Sequence, residues 1–174
     1  MFRRWMIVVV TLTASVAAAD PISVSRARNS LADLTAMAND LAKEAQRDAA
    51  VLAYLREAAK SLDDWQQNNA VAGAMNNIGQ AGKLAAQAPV SPRVVQIVSA
   101  AKEIVEPATH SATTADLQKI RGELLARPVE QMRGIVAEEI GVLAQLAAKV
   151  SDISGILTKS VAASTALTLG TKSE

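Results

Sequence analysis

Asp48 interrupts a run of apolar residues at helical spacing, and Glu139 falls at a core-like position of a second apolar helix. A carboxyl group taken out of water binds a cation, draws hydrogen bonds or keeps its proton above the usual range. Acids are almost never buried without a partner. Each is therefore expected at the edge of its stripe, reaching water or an Arg or Lys neighbour. The alternative is a seat inside, selecting helix register as buried polar residues do in coiled coils. Glu138 and Glu139 are adjacent, and adjacent side chains diverge on a helix, so they do not form a glycosidase-type pair.

The single histidine, His110, sits in the loop PATHSATT. Glu106 lies four residues earlier, but Pro107 spoils a helical metal pair between them. A di-iron bundle needs two Glu-x-x-His pairs, and the chain has none. A lone loop histidine reads as a solvated residue. Asp40, Glu44, Arg47 and Asp48, and later Arg56, Glu57 and Lys60, have the spacing of solvated helix-face ion pairs. No phosphate loop, nucleophile elbow, zinc spacing or calcium loop occurs. Gly79 and Gly82 lie within a helical pattern and read as close packing. The residues thus point to no catalytic constellation, cofactor or metal site, and the expectation is a non-enzyme.

The elements that carry these residues are helical. The chain is rich in Ala, Leu, Glu, Lys and Gln, the strong helix formers, and shows no strand-like alternation bounded by turns. Ser23 or Ser25 can cap a first helix over about 26–67. Its stripe is Leu31, Leu34, Ala38, Leu41, Ala45, Asp48, Leu52, Leu55, Ala59 and Leu62, an unbroken 3–4 spacing of the kind long side-by-side helices use. Ser61 followed by Asp64 resembles a capping box, which leaves a break near 61 open. The uncharged stretch 65–82 turns its apolar face away from that stripe, so a turn is placed at Gln67–Asn69. A second helix then spans about 70–87, with Val71, Ala74, Met75, Ile78, Ala81 and Ala85 inward. Asn69, Asn76, Asn77 and Gln80 form an amide face on its other side, turned to a partner or packed internally. Ser91 and Pro92 open a third helix over about 92–106. Thr113 or Thr114 caps a short one over about 115–126, with Leu117, Ile120, Leu124 and Leu125 inward. Pro128 either kinks that helix or starts the last one, over about 129–166.

The last helix carries two stripes. One is bulky: Val129, Met132, Val136, Ile140, Leu143, Leu146, Val150, Ile153, Leu157 and Val161. The other is small: Gly134, Ala137, Gly141, Ala144, Ala148, Ser151, Gly155, Thr158 and Ala162. Each glycine costs about 1 kcal/mol of helix propensity against alanine, and close approach of a second backbone would offset that cost. The small stripe is therefore expected either to pack one of the chain's own helices, the favoured alternative, or to form an interface with a second copy. Glu138, Gln145, Lys149 and Asp152 share the remaining face.

Residues 1–19 have the form of a signal peptide. Arg3 and Arg4 give a basic start, an apolar run follows, and Ala17 and Ala19 fit a cleavage site before Asp20. The apolar run is shorter than the roughly 20 residues of a membrane span; an uncleaved anchor is the alternative. The chain has no cysteine, so lipoprotein anchoring at that site is excluded and residues 20–174 must fold as one domain without disulfides. Export without disulfides suits a bacterial periplasm or bacterial secretion. The formal charge of +1 becomes −1 once Arg3 and Arg4 leave. That balance gives no footprint for nucleic acid. With Tyr54 and Trp65 the remaining aromatics, stacking surfaces for bases or sugars are hardly available.

The sequence reads as an exported, all-α, elongated up-and-down bundle of about four to five helices, without cofactor. The expected role is binding or scaffolding through helix faces, toward a protein partner or a second copy. A membrane-active or lipid-binding helical protein is the second reading, which leaves membrane contact open. A minor subunit of a bacterial secretion or surface apparatus is the third.

Overall fold

A computed structural model describes residues 21–63, 69–109 and 113–170, with the side chains of 21–23 and 164–170 left aside. The expected signal peptide, most of the turn before the second helix, and His110 lie outside the described residues. The elements, in order, are α1 (Pro21–Ser61), α2 (Ala70–Ala85), α3 (Pro92–Val105), a 3-10 turn (Glu106–Thr109), α4 (Thr114–Leu124), a π turn (Leu125–Val129) and α5 (Glu130–Gly170). No strand occurs among the described residues, and the fold is an all-α helical bundle.

The helix ends follow from local chemistry. Ser91 is the N-cap of α3, with proline in its first turn. Thr113 caps α4 in a reciprocal box: its N–H donates to Asp116 Oδ2 at 2.9 Å, and the Asp116 N–H donates to Thr113 Oγ1 at 3.3 Å. Those hydrogen bonds from Thr113 hold the Asp116 carboxyl below its usual range. Pro128 neither breaks α4 nor caps α5. It is buried inside the π turn, whose wider i→i+5 winding carries the chain past a nitrogen that has no proton to give. Leu125, expected inward, is instead 36% exposed, since it follows the buried Leu124 by one residue and so lies about a quarter turn round the helix.

The described residues divide into two compact units, one within 33–150 and one made of 21–32 with 151–170. The core of the first is one apolar cluster. Val51, Leu52, Leu55, Ala58, Ala59 and Leu62 enter from α1, and Ala70, Ala74, Ile78, Ala81 and Ala85 from α2. Val94, Ile97, Val98, Ala101 and Val105 enter from α3, Leu117 and Leu124 from α4, and Val129, Met132 and Ile135 from the last turns. The start of α2 lies against the end of α1. A Cβ at Gly73 would stand 3.4 Å from Ser61, whereas Gly79 faces open space and Gly82 has Val98 at 3.8 Å. Close packing therefore occurs at Gly73 rather than at the Gly79–Gly82 pair. Asn77 of the amide face donates to Ser61 Oγ at 3.3 Å, and Arg121 of α4 pairs with Asp63 at 2.7 Å. In the second unit, Val24, Ala27 and Leu31 of α1 are half-buried, as are Ile153, Leu157 and Ser160 of α5.

Candidate functional site

Asp48 occupies its seat on the α1 stripe and is 1% exposed. The residue before it supplies its cation. Arg47 Nε donates to Asp48 Oδ1 at 3.2 Å. The same guanidinium donates to the carbonyls of Gln87 at 3.1 Å and Pro89 at 2.8 Å, and approaches Glu44 Oε1 at 3.5 Å. It thereby ties α1 to the connection between α2 and α3. Arg47 was expected in a solvated ion pair, as Lys43 and Asp40 are. Instead its side chain is 9% exposed, and each of its three nitrogens has an acceptor.

Glu139 meets Asp48 from α5. The bulky stripe of α5 does not run through Ile140 as the spacing predicts. Ile140 is 59% exposed, and Val161 is exposed as well. The covered positions are Met132, Ile135, Val136, Glu139, Leu143, Leu146 and Val150, so a carboxyl takes the seat expected for an isoleucine. Burial, the charges of Asp48 and Glu44, and a hydrogen bond to Asp48 push the Glu139 carboxyl up to about 8, with Arg47 pulling the other way. Asp48 Oδ2 and Glu139 Oε2 receive no donor from the rest of the described protein. With its carboxyl raised that far, Glu139 keeps its proton at neutral pH and can donate it to Asp48.

A carboxyl pair sharing a proton is the chemistry of an acid–base dyad. Here Asp48 itself is buried, at 1% exposure. A cleft of about 280 Å³ is lined by Arg93, Gln96, Ile97 and Gln131, and neither member of the pair lines it. Among the described residues no group of three or more His, Cys, Asp or Glu side chains could hold a metal. The dyad is a contact between helices. Glu138 points elsewhere, to Arg93 at 3.4 Å, as the divergence of adjacent helix residues requires.

The small stripe has the opposite setting. Gly134, Ala137, Gly141, Ala144, Ala148, Ser151, Gly155, Thr158 and Ala162 are all exposed. A Cβ at Gly134, Gly141 or Gly155 would meet nothing within 4 Å, so no part of the described chain covers the face that was expected to pack internally. Thr114–Ala163 is moreover one helix long and apolar enough to cross a membrane, with a segment of mean hydropathy 1.4 that is not buried.

Asp48 and Glu139 stood out in the sequence as acids at core positions, but nothing marked them as partners. The same was true of Arg47 and Glu44, although both lie within one turn of Asp48 and a buried acid demands a cation. No family model, curated protein or solved structure matches the chain.

Proposed function

We propose that the protein is exported and acts without catalysis, binding or scaffolding other proteins through its helix faces, with α5 as the principal contact element. The observation that carries this reading is the uncovered small stripe of α5, along which a second backbone can approach closely. Such a face costs helix propensity at three glycines, and nothing within the described chain offsets that cost. Capture of envelope proteins on the wild type and on Gly141→Leu tests it. Leucine there fills a vacant place on the helix surface, so the fold is kept and the contact is lost. Equal capture by both proteins would sink the reading.

The second reading is a membrane-active helical protein, favoured by the apolar, uncovered segment of α5. Lys149 and Asp152 lie within that helix, and the aromatic residues that anchor interfacial helices are missing from it. Flotation with neutral and anionic liposomes separates the two readings. The third, a minor subunit of a bacterial secretion or surface apparatus, would place the same contact inside a larger assembly, and a stable multi-subunit complex in the pull-down would favour it.

A further inference from the structure

We propose that Asp48 and Glu139 form a one-proton latch between α1 and α5, closed while the pair holds its proton and loosened when the proton leaves. The latch lies at the edge of the apolar core. On α1 burial begins at Ala45 and continues through Leu62; on α5 the last fully buried residue is Ile135. Beyond Asp48 and Glu139, residues 33–44 and 140–150 offer only half-buried apolar positions such as Leu34, Leu41, Leu143 and Leu146. The pair therefore sits between a densely packed region and a thinly packed one.

The charged groups around the pair determine what deprotonation does. From α1 come Glu44, Arg47 and Asp48. The connection between α2 and α3 contributes only the carbonyls of Gln87 and Pro89. From α3 comes Arg93, in an ion pair with Glu138 of α5. Arg47 is the cation that acts on the pair, and it already serves Asp48, Glu44 and two carbonyls. A second charge at Glu139 therefore faces two carboxylates with a single guanidinium between them. Asp48 Oδ2 and Glu139 Oε2, both buried and without another donor, then have no proton between their carboxyls, and separation of the helices or entry of water relieves the contact.

The test uses the full chain. Because the protein has no cysteine, spin labels at Gln46→Cys and Val142→Cys, both at exposed positions, report the α1–α5 distance directly. The distance distribution should broaden and shift outward as pH rises from 6 to 9, with a midpoint near the Glu139 transition at about 8. Glu139→Gln keeps a donor toward Asp48 but cannot ionise, so its distribution should stay closed across the range. Asp48→Asn removes the main neighbouring charge and should move the midpoint at least one pH unit toward acid. A wild-type distribution that does not change with pH, or a Glu139→Gln protein that follows the wild-type curve, overturns the latch. If Glu139→Gln does not fold, the Asp48→Asn midpoint decides: an unmoved midpoint overturns the proposal.

Discussion

At Asp48 and Glu139, single side chains set how the fold responds to pH. The Glu139 carboxyl is raised from 4.5 to about 8 in the folded protein, so the folded state holds a proton that the unfolded chain has released. Stability from this group is complete below about pH 4.5 and is lost as pH rises through about 8. Since Glu139 is only half-buried, water screens part of the effect, and the loss is on the order of 1–2 kcal/mol. Urea midpoints measured from pH 5 to 9 should fall for the wild type and stay nearly level for Glu139→Gln. Arg47→Ala removes the cation from a buried acid and the donor from two carbonyls. It should cost about 3 kcal/mol at pH 7, read from the same urea transition. A cost below about 0.5 kcal/mol, the scale of an exposed ion pair, would mean that the guanidinium is no keystone.

The helices themselves were largely legible in the sequence, and where they were not, a physical cause can be named. The α1 stripe from Leu31 to Leu62 is covered along its whole length, half-buried to Leu41 and buried from Ala45 onward, because an uninterrupted 3–4 spacing on a straight helix has one reading. The α5 stripe drifts. Ile140 goes out and Glu139 comes in, because beyond Val136 the covered face continues by a step of three residues where the apolar spacing suggests four. Periodicity gives the face of one helix and says nothing of the register between two, so the partnership of residues 48 and 139 could not be read in advance. The glycines of α5 carry a prediction of their own. Each of Gly134, Gly141 and Gly155 lies in helical backbone with open space where a Cβ would go. Alanine at any of them should raise the urea stability of the isolated chain by roughly 0.5–1 kcal/mol. A loss instead would mean that something already occupies the face.

For the whole molecule, charge and aromatic content exclude more than they assign. A nearly neutral chain with few aromatics offers little of the charge and stacking surface by which proteins hold nucleic acid. What the bundle offers is surface. The face of α5 that the rest of the described chain leaves uncovered is the feature on which the proposed protein contact rests. Liposomes of neutral and anionic composition should leave the protein in the unbound fraction at pH 6 and pH 9; flotation at either pH would shift the account to membrane contact. The measurement that bears most directly on the account is a side-by-side capture with wild type and Gly141→Leu at matched folding stability. The predicted result is a partner, or a second copy of the chain, retained on the wild type and released by the leucine. Identical retention on both, or no retention on either, would contradict it.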